Sequence, residues 1–432
     1  MRIGIYPALA PSSGGIYQYS LSMLSVLAQW KSDGCEDHFV LFTDKIVDPA
    51  VAAGTSGNGW TIKPPQPPPQ ALNMLRRFVG EGPHREMWRW LRSQMSQYQI
   101  QCKPASPDPD VVRHQPEANR WFKNCGVDLM IYPESNQLSF EAGVPYIMAI
   151  HDLQHRLQPE FPEVSADGEW ERREYRFRNG ARCATLLLAD SEVGKEDILN
   201  FYGSYGVTPD KVKVLPFLPA CYLATDLSRL ERERVRTIYH LPERYLFYPA
   251  QFWPHKNHAR IVQALGLLKQ DRGLKIPIVF CGSYTGEIRE RTFHEVMSVS
   301  SRLGLEKQIH YLGYVPDEDM SGLYAEAVAL VMPTFFGPTN IPPLESWAFG
   351  RPVLSSDIRG IREQIGNAGV LVDPRSVEAI AEGIFRLWTN EHLCKELADR
   401  GRERLQSYTA DDFRNRLVDI LEEARTRLHS EK

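Results

Sequence analysis

Short apolar runs rich in β-branched residues alternate along the chain with stretches whose apolar positions recur at helical spacing. The pattern predicts strands at Ile3–Tyr6, Phe39–Thr43, Leu129–Tyr132, Tyr146–Ile150, Leu186–Ala189 and Val212–Leu215. A second series is predicted at Tyr245–Tyr248, Ile278–Cys281, Ile309–Leu312, Val328–Met332, Val353–Ser355 and Val370–Val372. Helical stretches fall between them, among them 192–202, 257–268 and 377–388. Strands that are apolar at nearly every position need cover on both faces, which is the signature of a parallel sheet flanked by helices. Two such series predict an α/β protein with two doubly wound, Rossmann-like domains facing a cleft. The expected division is 1–218 for the first domain, 219–409 for the second, and a helix over 410–432 that crosses back to the first. A hinge is expected near 216–220.

The segment 60–118 fits neither series and reads as an insertion. Prolines bound it, in PPQPPPQ and KPASPDPD. Between them Arg76, Arg77, Arg85, Arg89 and Arg92 mix with Phe78, Met87, Trp88 and Trp90, and five arginines against two glutamates over 72–94 leave a formal +3. Such a stretch suits a helical hairpin packed on the first domain. A surface over about 62–94 that meets an anionic membrane face or a lipid-linked acceptor is the other reading.

Composition narrows the class. The 432 residues exceed one ordinary core. A net charge of −4 with 43% hydrophobic and 24% charged residues describes an average globular protein, with no nucleic-acid partner expected. No apolar run approaches about 18 residues, and the start MRIGIYPALAP lacks the features of a signal peptide. Seven scattered cysteines, an odd number without metal spacing, suit free thiols in a reducing cytoplasm. The expected location is therefore cytoplasmic, with peripheral membrane attachment through 62–94 as the variant.

Chemistry concentrates at the carboxyl ends of predicted strands. VMPTFFGPTNIPPLESWAFG at 331–350 is a strand, a turn rich in Gly, Pro and Asn, and a helix with Glu345 expected in its first turn. Free amides at a helix N-terminus suit phosphate, and an acid beside them suits sugar hydroxyls. Lys256 follows another strand in QFWPHKN, where it can neutralise a diphosphate, although an exposed lysine near an Asn cap is an equal reading. His151-Asp152 ends the strand YIMAI and can bond a sugar hydroxyl or leaving-group oxygen, the alternative being a capping pair. Gly14-Gly15 lets backbone approach a ligand, or simply makes a tight turn.

In this order the four elements resemble the retaining glycosyltransferases of family 4 (glycosyl transferases group 1, GT-B fold). SEVGKEDILNFYG at 191–203, VKVLPF at 212–217, HYLGYVPDEDMSGLYAEA at 310–327 and SSDIRGIREQIGNAGVLVDP at 355–374 extend the match. The resemblance implies transfer of a hexosyl unit from a nucleotide-diphosphate sugar, a UDP- or GDP-sugar, to a saccharide or lipid-linked saccharide in polysaccharide or glycoconjugate biosynthesis. No metal and no cofactor beyond the donor substrate are implied. His151, Lys256 and Glu345 take the catalytic positions: near the reacting sugar, on the diphosphate and on the ribose. Gly14, Gly15, Gln251, Tyr314, Gly337, Thr339, Asn340 and Ile341 join Lys256 and Glu345 around the donor, with backbone near Tyr314 beside the base. Two positions depart from the family. Gly337 stands where a second glutamate usually holds the donor sugar, leaving Thr339, Asn340 and nearby amides to replace it. Gln251 stands where an arginine is usual, so a cation must come from His255 or from an arginine elsewhere. A nucleotide-sugar 2-epimerase and a non-catalytic nucleotide-sugar-binding protein are the rival readings.

Overall fold

The computed structural model describes residues 1–44, 52, 54, 55, 57, 59–65 and 108–430. The basic, aromatic stretch 72–94 lies outside these residues.

The first seven strands are β1 (Arg2–Ile5), β2 (His38–Phe42), β3 (Trp60–Lys63), β4 (Leu129–Tyr132), β5 (Tyr146–Ala149), β6 (Leu186–Ala189) and β7 (Val212–Val214). They form a parallel sheet in the order β3-β2-β1-β4-β5-β6-β7. Six more follow: β8 (Leu246–Pro249), β9 (Ile278–Cys281), β10 (Ile309–Tyr311), β11 (Ala329–Met332), β12 (Val353–Ser356) and β13 (Val370–Val372). These make a second parallel sheet, β10-β9-β8-β11-β12-β13. Every strand anticipated from the apolar runs is present within a residue or two. β3 was not anticipated. It is a four-residue edge strand whose Ile62 is 55% exposed, so it lacks the run of buried residues that marks the others.

Alternation within the first sheet explains the unbroken apolar strands. Ile3, Ile5, Phe39, Leu41, Leu129, Ile131, Ile147, Leu186 and Leu188 face one core. Their neighbours Val40, Phe42, Met130, Tyr132, Tyr146, Met148 and Leu187 face another. Each of these residues is therefore buried on whichever side it points. The C-terminal helix Ala410–Ser430 supplies Phe413, Leu417, Ile420, Leu421 and Ala424 to the first of these cores. It is pinned by Arg425 to Asp37 at 2.6 Å and by Arg427 to Asp210 at 2.7 Å, so it returns from the second sheet to the first. Among the described residues no helix is long and apolar enough to cross a membrane.

The chain order reverses beside β1 in the first sheet and beside β8 in the second. Crevices at such switch points, beyond the carboxyl ends of the strands, are where open parallel sheets bind ligands. The loops after β8 and β11 therefore share one crevice.

Candidate active site

The loop after β8 runs through a 3₁₀ turn, Pro254–Lys256, to Asn257, which sits at φ 63° and starts the helix His258–Arg272. Asn257 holds this loop in place. Its Nδ2 donates to the carbonyls of Pro333 and Pro374, both at 2.8 Å, which ties the β8 loop to those after β11 and β13. The hydroxyl of Tyr248 donates to the Lys256 carbonyl at 2.9 Å. On this fixed backbone the Lys256 ammonium reaches Asn340 Oδ1 at 3.5 Å. Burial lowers the Lys256 pKa to about 8 against the pull of Asp152 and Glu163. Among the described residues no carboxylate oxygen lies within ion-pair distance of its ammonium. The lysine is held in a desolvated crevice that suits an anionic ligand.

The loop after β11 leads into the helix Ile341–Ala348, with Pro342 and Pro343 in the first turn, where a missing N–H is harmless. The helix begins at Ile341, so Glu345 lies in its second turn. The expectation of a first-turn carboxylate is corrected accordingly: a partner of the helix dipole belongs in the first turn. Glu345 is instead 4% exposed, and its carboxylate accepts from the hydroxyls of Tyr222, at 3.1 Å, and Tyr324, at 2.5 Å. Burial pushes its pKa up to about 7, opposed by those two hydroxyls. A carboxylate has about four acceptor sites, and two remain for the hydroxyls of a ligand.

Other groups of this loop are engaged by the protein. The Thr339 hydroxyl donates to Asp190 at 2.5 Å, Gln154 Nε2 donates to the Gly337 carbonyl at 3.0 Å, and Gln364 clamps Asn340 by accepting from its N–H and donating to its carbonyl. A side chain at position 337 would meet Ile358 and Ile361 within 4 Å. An acid there would abut two apolar side chains.

The first domain closes onto these loops. Gly14 adopts φ 58°, ψ −121°, a conformation suited to glycine, and caps the helix Gly15–Ser32. A Cβ at Gly14 would lie 3.9 Å from Gln251 Nε2, and one at Gly15 would lie 3.7 Å from Ile341 Cδ1. His151 Nε2 donates to the Pro133 carbonyl at 2.7 Å, and the ring packs edge-on to Tyr19. Burial lowers its pKa, so the imidazole is neutral near pH 7 and its Nδ1 is an acceptor. Asp152 pairs with Arg173 and accepts from the Gln154 N–H at 3.0 Å. Across the cleft, Arg359 pairs with Glu196 and Asp197. Glu363 accepts from the N–H groups of Glu192 and Val193, which have no acceptor within their own helix at the N-terminus of Glu192–Tyr202.

Gln251 Oε1 accepts from Arg289 at 2.7 Å and from Trp253 at 3.0 Å, and the Arg289 guanidinium lies over the Trp253 ring at 4.6 Å. The cation beside position 251 is therefore Arg289. His255 does not supply it: its ring stacks on Phe336 at 3.9 Å, and burial drives its pKa well below the ordinary value. Tyr314 is 64% exposed, next to Gly313 at φ 75° in the loop after β10. The sequence reading did not single out Tyr222, Tyr324, Asp190, Glu163 or Arg289, whose partners are remote in the chain. For Asp190, its place directly after a buried strand was a usable signal.

A family model described as Glycosyl transferases group 1 matches residues 231–404. The chain is 31% identical over 165 residues to O-antigen chain mannosyltransferase B of Escherichia coli, which covers 38% of this chain and 42% of that protein. It is 24% identical over 273 residues to MMP alpha-(1->4)-mannosyltransferase of Mycolicibacterium hassiacum, covering 61% of each. The chain thus spans less than two thirds of the length of either relative. Anabaena Alr3699/HepE, solved in complex with UDP and glucose, superposes with a TM-score of 0.66 over 98% of this chain and 99% of that one, at 16% identity. The fold is therefore GT-B, and residues 231–404 resemble the glycosyl transferases group 1 family.

Proposed function

We propose that this protein is a retaining glycosyltransferase that moves a hexosyl unit from a nucleotide-diphosphate sugar to a saccharide or lipid-linked saccharide acceptor. One observation carries the reading: Lys256 reaches Asn340 across the β8/β11 crevice, in the same loop-and-helix unit that buries Glu345, while Gly14 and Gly15 of the other domain face Gln251 and Ile341 with room for little more than a Cβ between. In this reading Glu345 accepts from the ribose, Lys256 neutralises the diphosphate as it departs, and neutral His151 offers Nδ1 to a hydroxyl of the transferred sugar. The departing phosphate oxygen takes the acceptor proton on its own face of the sugar, so retention needs no protein nucleophile. The protein contributes orientation and a preorganised charge. Two relatives are named mannosyltransferases, which makes a mannosyl donor the first to test.

The test is a thermal-shift panel of UDP-, GDP-, ADP- and dTDP-sugars. A cognate donor at a hundredfold excess over its Kd is expected to stabilise the native state by about 2.7 kcal/mol. NMR of the product formed with that donor then reads the anomeric configuration. An inverted product, or no donor giving a shift, rejects the proposal. Donor conversion without any acceptor would point to the epimerase.

A further inference from the structure

The crevice lacks an acid at position 337, yet an unassigned acid reaches it from the other domain. Glu163 lies in the short helix Pro162–Ser165 of the first domain. Its Oε1 accepts from the backbone N–H of His255 at 3.0 Å and lies 2.6 Å from His255 Nδ1. Its Oε2 is buried and accepts no hydrogen bond from any described residue. Lys256 is the next residue along, and its positive charge acts on this carboxylate. Phe161, Val164, Phe335 and Phe336 form a small apolar cluster around the contact, with Phe161 packed edge-on to Phe336 at 5.1 Å. A buried carboxylate oxygen without a donor is uncommon in a folded protein and is open to one from a ligand.

Position within the cleft distinguishes this acid from Glu345. Glu345, with Tyr222 and Tyr324, marks one end of the crevice. Glu163 sits at the Lys256 end, bonded to His255, whose ring stacks on Phe336, the neighbour of Gly337 in the chain. Resting on the glycosyltransferase reading above, we infer that Glu163 is a specificity-determining residue, whose Oε2 accepts a hydrogen bond from a hydroxyl of the transferred hexose. The acid is carried by the opposite domain, so recognition of the sugar is completed only when the domains close. A bare nucleoside diphosphate engages Lys256 and Glu345 but leaves Oε2 without a donor.

The experiment compares wild type with Glu163→Gln and Glu163→Asp by isothermal titration with two ligand pairs, GDP with GDP-mannose and UDP with UDP-glucose. Thermal denaturation of each variant checks its folding. Wild type is expected to bind the sugar conjugate of its cognate pair more tightly than the bare diphosphate. Glu163→Gln replaces the accepting oxygen with a donor, so its affinity for the conjugate falls roughly 10- to 100-fold, the range for a hydrogen bond to a charged group. Its affinity for the bare diphosphate stays within about twofold, a margin small beside that loss. Glu163→Asp keeps the charge but retracts it, and loses the conjugate preference as well. Equal weakening of both ligands would show that Glu163 serves only to hold the domains together through His255, and would overturn the inference. Unchanged conjugate binding overturns it too, and leaves the glycosyltransferase reading standing. Failure of wild type to bind any nucleotide sugar in the wider panel overturns both.

Discussion

Replacing Lys256 with alanine is expected to lower kcat/KM for transfer by roughly 10²–10³-fold, the usual consequence of removing one preorganised group that stabilises developing charge in a dry site. The lysine is positioned by backbone that Asn257 and Tyr248 hold from three directions, so its removal deletes a charge without disturbing the loop. Its pKa of about 8 makes the effect visible in the wild type as well. The ammonium of the free protein is charged below that value and lost above it, so kcat/KM falls as the pH rises past about 8. Glu345 sets the other limb. With a pKa of about 7 it becomes a full acceptor only above that pH, so kcat/KM also falls on the acid side. A bell with its maximum between about 7 and about 8 is the expected profile. In Lys256→Arg the guanidinium stays ionised, and the alkaline limb moves up or disappears. Steady-state rates from pH 5.5 to 9.5 check this. Lys256→Ala turnover within threefold of wild type, or a profile flat across that range, removes Lys256 from the proposed chemistry.

Glu345→Gln is expected to stabilise the free protein while weakening nucleotide binding. Burial raises the folded-state pKa of Glu345 to about 7 from an ordinary 4.5. The folded protein therefore holds this proton more tightly than the unfolded chain does. Stability falls as the pH rises from about 4.5 to about 7 and is level above. The difference corresponds to about 3 kcal/mol at pH 8, an upper bound on what glutamine recovers. The side-chain amide keeps the shape, and a tyrosine hydroxyl can turn to accept from its NH₂. Urea denaturation at pH 5 and pH 8 should show the variant gaining far more on wild type at the higher pH. Titration with the cognate nucleoside diphosphate should show a loss of roughly 10- to 100-fold, because a charged acceptor for the ribose is gone. A variant less stable than wild type at pH 8 would mean that the carboxylate serves the fold, and the ribose assignment would fail.

The two sheets were legible because the physics that forms them is local. A strand buried on both faces must be apolar at every position, and 129–132, 186–189 and 278–281 announce themselves in that way. The returning C-terminal helix was legible for a similar reason, since its apolar residues recur on one face. β3 was hidden because an edge strand is half exposed and lies beside a proline-rich segment that obscured it. Lys256, His151 and the Gly14-Gly15 pair stand as candidates from sequence because loops at the carboxyl ends of parallel strands are where such folds place ligands. The burial of Glu345 between two tyrosines could not be read. Tyr222 lies 123 residues upstream, near the expected domain junction, and no pattern of spacing connects it to a helix.

By itself the sequence determined the class of the protein, its two parallel sheets and the loops that meet at the cleft, because periodicity and turn chemistry act over a few residues. Only the tertiary structure decided how those loops are charged and completed. It set Arg289 behind the neutral Gln251, 38 positions away, and made His255 a buried stacking residue in place of a cation. It brought Asp190 to Thr339 over 149 positions and Glu163 to His255 over 92. The last two contacts join different domains. Their energies come from desolvation and charge, which depend on what surrounds a group in space, and neighbours along the chain carry little record of that.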